Sequence, residues 1–131
     1  MSNNSKKYSS HFKTCTQCSQ TLPRTLEHFH GNGKHYFSSK CKPCHSEYNR
    51  RRNTNARKWY REYKQTLSCV QCGFDDYRAL VFHHRDPSTK TFTLADNVTR
   101  QSKENILKEI AKCDVLCANC HTIVHHVGNV Q

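Results

Sequence analysis

A chain of 131 residues, 34% of them hydrophobic, has room for one ordinary domain or two very small ones and excludes a large apolar core. No apolar run approaches the length of a membrane span, and with the first ten residues polar no secretory leader is expected, so the expected setting is intracellular and cytoplasmic. The formal net charge of +11, from 21 Lys and Arg against 10 Asp and Glu, attracts polyanions and makes nucleic acid the expected partner, with no membrane involved.

Residues 1–13 read as a disordered basic tail. From residue 14 onward the cysteines set the organisation. Eight of the nine fall into four Cys-x-x-Cys units: Cys15/Cys18, Cys41/Cys44, Cys69/Cys72 and Cys117/Cys120. That spacing lets one turn of backbone present two thiolates to a tetrahedral zinc, whereas a disulfide framework shows no such preference. Residues 14–46 are expected to form a zinc ribbon or knuckle held by Cys15, Cys18, Cys41 and Cys44. Pro23, Gly31 and Gly33 should mark its turns, and a short strand over 34–40 should lead into Cys41. Phe29, Tyr36 and Phe37 are expected to pack on it. His28, His30, His35 and His45 stand nearby, but four cysteines already close a zinc shell.

Residues 46–66 contain no Gly or Pro before the next Cys pair and read as a basic linker helix, counted as 47–66 and loosened around Asn53–Asn55. Trp59 and Tyr63, four apart, share a face. Arg50, Arg51, Arg52, Arg57, Lys58, Arg61 and Lys64 make it a candidate to lie along a phosphate backbone.

In residues 67–127 a strand over 79–82 is expected to end at His83-His84, followed by a turn at Asp86-Pro87-Ser88 and a second strand over 89–94. Ser102 should cap a helix whose face is Ile106, Leu107 and Ile110. A last helix should run from Cys117 to about His126, carrying His121 and His125 four apart on one face, a geometry for two ligands to one metal. A second closed zinc shell of Cys69, Cys72, Cys117 and Cys120 would clamp the strand against this helix and fix the histidines. Cys113 is the odd cysteine, expected to be buried in a helix face as a small hydrophobe, the alternative being competition with Cys117 as a zinc ligand.

Taken in order, Cys69-x2-Cys72, Phe82-His83-His84-Arg85-Asp86-Pro87 and Leu116-Cys117-Ala118-Asn119-Cys120-His121-x3-His125 resemble the HNH nucleases, the ββα-metal fold. The flavour is that of zinc-bearing phage enzymes related to recombination endonuclease VII and of homing HNH nucleases. The resemblance covers about residues 67–126. It implies a small, zinc-stabilised α+β protein with a C-terminal ββα-metal domain that hydrolyses DNA phosphodiester bonds, by nicking or double-strand cleavage.

By position, the resemblance makes His83 a ligand of a catalytic divalent ion (Mg2+, Mn2+, Ni2+ or Zn2+), with His121 and His125, and His84 the general base. Arg85 would add charge at the scissile phosphate. Two structural Zn2+ ions complete the set. His126 is a weaker alternative ligand. The middle Asn of the pattern, which usually holds the loop that positions the base, is replaced here by Lys112. The resemblance leaves open duplex, nicked or branched DNA, and a monomer or a homodimer. The competing expectation is a non-catalytic zinc-dependent nucleic-acid-binding module, which has no need of His84.

Overall fold

The computed structural model describes residues 11–128. The protein is a small α+β chain of short two-stranded antiparallel sheets and helices. It divides into two compact units, residues 1–51 and 52–131. Residues 1–10, most of the expected tail, lie outside the described residues. Phe12 and Lys13 already belong to a strand.

The first unit is built on two small hairpins. β1 (Phe12–Thr14) pairs with β2 (Thr21–Pro23), and β3 (Phe29–Gly31) pairs with β4 (Phe37–Cys41). Pro23 therefore closes a strand rather than marking a turn. Phe29 is fully buried with Cys15 and Cys41, and Leu22, Phe37 and Cys44 pack against them. Tyr36, expected on this core, is 62% exposed. It sits in the β3–β4 connection, where Asn32 Oδ1 accepts from the N–H groups of Lys34, His35 and Tyr36. That cap turns the backbone and leaves the Tyr36 ring outside.

Helix α1 (Lys42–Gln65) begins four residues before the expected Ser46. Pro43 falls in its first turn, where a missing N–H costs nothing because the first N–H groups have no intrahelical partner. Cys44 is consequently a helical residue. The helix runs unbroken through Asn53–Asn55, where loosening was expected, and the boundary between the two units falls inside it.

The second unit is organised around β5 (Leu80–His84) and β6 (Cys113–Cys117), an antiparallel pair with Leu80 opposite Cys117 and His84 opposite Cys113. The partner of the histidine strand is thus β6, and the second strand expected over 89–94 does not form. Those residues instead form a 3-10 turn at Pro87–Thr89 and the start of a short helix α2 (Leu94–Asn97). Leu94 is buried with Ile106, Ile110 and Cys113, and an apolar side chain drawn into a helical core outweighs a weak alternation of Thr and Lys.

Helix α3 (Lys103–Ile110) is capped by Ser102, whose Oγ accepts from the Asn105 N–H. Its buried face is Ile106, Glu109 and Ile110; Leu107 is exposed. Trp59 and Tyr63 stack at 5.8 Å between ring centres and pack, with Tyr60, on this cluster. Cys113 is buried as expected, but on β6 rather than on a helix. Helix α4 (Ala118–Gly128) follows β6 directly.

Candidate metal centres and the histidine pocket

Cys15, Cys18, Cys41 and Cys44 bring their sulfurs within 4.8 Å of one another, and so do Cys69, Cys72, Cys117 and Cys120. Cys18 Sγ lies 3.8 Å from Cys41 Sγ, and Cys72 Sγ lies 3.7 Å from Cys117 Sγ. Four sulfurs at about 2.3 Å from one tetrahedral ion are about 3.8 Å apart, so both clusters fit zinc, and each would be a closed, structural site.

The turns that shape them are alike. After Cys15-x-x-Cys18, Ser19 takes φ 61° and its N–H donates to Cys15 O at 3.0 Å. After Cys69-x-x-Cys72, Gly73 takes φ 78° and donates to Cys69 O at 2.9 Å. Each knuckle also aims N–H groups at a sulfur. Cys15 Sγ accepts from Cys18, Cys41 and Gln17, and the first two of these bonds do most to draw its pKa down to about 6. Burial pushes the Cys69 thiol up, but N–H groups of the same cluster outweigh it and bring it to about 6. A sulfur held as thiolate near neutral pH is ready to ligate a metal, while bonds to neighbouring sulfurs, Cys41 and Cys117 first, push Cys44 and Cys120 up to about 12.

A third cluster lies on the second unit. Successive residues of a strand point to opposite faces. On β5 this sends His83 and His84 to different neighbours. His83 meets α4: its ring centre is 5.3 Å from that of His121 and 5.0 Å from that of His125. One turn apart on α4, His121 and His125 bring Nε2 atoms within 3.0 Å. One ligand nitrogen from each of the three lies within 4.8 Å of the others.

Ligands about 2.0–2.1 Å from a single ion are about 3 Å apart when cis, so the donor set fits one divalent ion with positions left open. Imidazole must be neutral to ligate. Burial, then the neighbouring His125 and His83, push the pKa of His121 down, in that direction. His126 is exposed and is not part of the cluster.

His84 takes the other face. Its Nε2 lies 2.7 Å from Glu109 Oε1, and the side chains are 10% and 2% exposed. Glu109 Oε1 also accepts from the Thr91 N–H at 2.9 Å, and Oε2 accepts from Lys112 Nζ at 2.8 Å. Lys112 Nζ donates in addition to Thr89 O and Thr91 Oγ1, both at 2.9 Å. Burial pushes the Glu109 carboxyl up, but the bonds from Lys112, the Thr91 N–H and His84 prevail and hold it at about 2.

Glu109 was not anticipated, because a Glu beside two Ile in an amphipathic helix reads as a solvated neighbour of the buried face. The signal that could have found it is its spacing of three from Lys112, a residue already out of pattern.

His83, His84, His121 and His125 line one pocket with Phe82, Pro87 and Lys90. Arg85 is not free to face it alone. Its guanidinium donates to Cys113 O, Asp114 Oδ1 and Ala111 O, tying the end of β5 to the α3–β6 turn. The basic residues of α1 are mostly exposed. Arg50 and Arg51 pair with Glu47, and Lys58 with Glu62. Arg52, Arg57 and Arg61 lie along the same helix, whereas Lys64 is partly buried, with Nζ 5.8 Å from the Tyr60 ring centre.

No helix among the described residues is long and apolar enough to cross a membrane. Comparison with models of known families, with curated proteins and with solved structures yielded no match.

Proposed function

We propose that this protein is a metal-dependent endonuclease of the HNH kind that hydrolyses DNA phosphodiester bonds, with His84 as general base. The observation that carries the reading is the division of labour on β5. His83 joins His121 and His125 in a three-nitrogen cluster, while the adjacent His84 lines the same pocket yet stays out of the cluster.

A divalent ion held by His83, His121 and His125 would supply Lewis-acid stabilisation of charge developing on the phosphate and on the leaving oxygen. The chain's own residues do the rest. His84 takes a proton from water as the water oxygen bonds to phosphorus, the bond from phosphorus to the 3′ oxygen breaks, and that oxygen takes a proton from solvent. Lys90, on the rim of the pocket, adds positive charge where a phosphate would enter. Arg52, Arg57 and Arg61 favour contact with the DNA backbone, and Arg50, Arg51, Lys58 and Lys64 add to the field. The two four-cysteine sites, loaded with zinc, hold the scaffold. An intracellular protein of a phage or another mobile element suits this activity.

The test is cleavage of supercoiled plasmid in the presence of Mg2+, Mn2+ or Ni2+. The wild type should nick or linearise it. His84→Ala should lose roughly 100-fold or more in rate while retaining DNA binding and two zinc ions. Equal inertness of both proteins, with DNA binding intact, would instead favour a zinc-dependent binding module.

A further inference from the structure

We infer that Glu109 is a positioning residue for His84, and that Glu109 and Lys112 together fix which ring nitrogen of His84 meets the water. The inference rests on the reading of His84 as general base, but its geometry stands apart from that reading. Glu109 is 2% exposed and touches His84 Nε2 at 2.7 Å. It is itself over-determined: Oε1 accepts from the Thr91 N–H and Oε2 from Lys112 Nζ. A buried carboxylate with that many donors stays ionised. An ionised carboxylate can only accept hydrogen bonds, so the hydrogen between Glu109 and a neutral His84 must sit on Nε2. The lone pair of that imidazole is then on Nδ1, the nitrogen left to meet the water.

Lys112 gives the device its second half. Its three ammonium hydrogens meet Thr89 O, Thr91 Oγ1 and Glu109 Oε2. The backbone at Lys112 O also accepts from the Arg85 N–H at 3.2 Å. The segment after β5 is therefore tied at Arg85, Thr89 and Thr91 to the end of α3. One ion pair both holds this loop and orients the imidazole that precedes it. Glu109 is not one of the three clustered ligands, so it acts on the pocket through His84 and through the loop that Lys112 holds, not through the histidine cluster.

The experiment uses the full, zinc-loaded chain with 15N-labelled histidine. Long-range 15N–1H correlation reads the tautomer of His84 directly, with no substrate present. In the wild type, His84 should carry its hydrogen on Nε2 as a single species. In Glu109→Ala the two tautomers should mix. In parallel, plasmid cleavage with Mn2+ should fall at least roughly tenfold in kcat with KM little changed. Ni2+ affinity at the three-histidine cluster and the count of two zinc ions should stay as in the wild type. Glu109→Gln, which keeps the shape but not the charge, provides the folded control should Glu109→Ala prove unstable, and should show an intermediate kcat.

A wild-type His84 with its hydrogen on Nδ1 would overturn the inference. So would a Glu109→Ala protein with unchanged tautomer and unchanged kcat, or one whose loss of cleavage tracks loss of Ni2+ affinity. If no protein cleaves DNA but the tautomer shifts as described, the nuclease reading fails while the positioning role of Glu109 stands.

Discussion

At the scale of the residue, Glu109 is the charged side chain buried in the second unit among the described residues. Its carboxyl lies at about 2 in the folded protein, against an ordinary 4.5. A depressed carboxylate contributes stability that is fully present above its unfolded pKa and is lost as pH falls through the folded one. The window is therefore from about 4.5 down to about 2. The melting temperature of the wild type should exceed that of Glu109→Gln at neutral pH, and the margin should shrink as pH falls below about 4.5, over the range in which both cysteine clusters keep their zinc. A loss of about 2 kcal/mol at neutral pH is expected from leaving Lys112 without its buried partner. A margin that grew below about pH 4.5 would contradict the assigned ionisation. The same residue marks what sequence reading missed. Its neighbours Ile106 and Ile110 announce a buried helix face by their spacing, but spacing does not reveal that a charged residue lies on that face with three donors waiting for it.

At the scale of the element, the two cysteine knuckles were legible because ligand spacing is a local property: Cys-x-x-Cys needs only one turn of chain. The pairing of β5 was not, because its partner lies 29 residues on, from His84 to Cys113, and pairing at that distance leaves no local trace. The strand expected over 79–82 was readable from Leu80-Val81-Phe82, and the structure carries it on through His83 and His84.

Gly31 shows how narrow the tolerances of the first unit are. A Cβ there would sit 2.1 Å from the backbone oxygen of Tyr36, and real side chains do not approach so closely. Gly31→Ala should therefore open the β3–β4 hairpin that delivers Cys41. Mass spectrometry under native conditions should then find one zinc instead of two, with the second unit's zinc retained. Two retained zinc ions would show that the hairpin can shift without releasing Cys41.

At the scale of the whole molecule, the three clusters differ in kind, and they should part with metal in order. The cysteine clusters combine four sulfurs with buried Cys15, Cys41, Cys69 and Cys117, whereas the histidine cluster has three ligands and an exposed His125. A mild chelator should strip the histidine cluster and abolish cleavage while far-ultraviolet circular dichroism stays unchanged. A stronger chelator, or acid sufficient to protonate the thiolates, should remove zinc from the cysteine clusters and unfold the chain. Loss of ellipticity in step with the first loss of cleavage would mean that the functional and structural ions had been assigned the wrong way round.

The clamp of Cys69 and Cys72 on Cys117 and Cys120 joins two stretches separated by 44 residues, and all of β5, the Glu109–Lys112 pair and most of β6 lie between them. Of the pocket's four histidines, two come before the clamp's second half is made and two come after it. During synthesis, then, His83 and His84 leave the ribosome as residues of an unpaired strand with nothing to act on. The three-histidine cluster can form only once α4, which follows Cys117 and brings Cys120, His121 and His125, has been made. On the proposed function, every partial chain that stops short of α4 would hold His84 without the His121 and His125 half of the pocket.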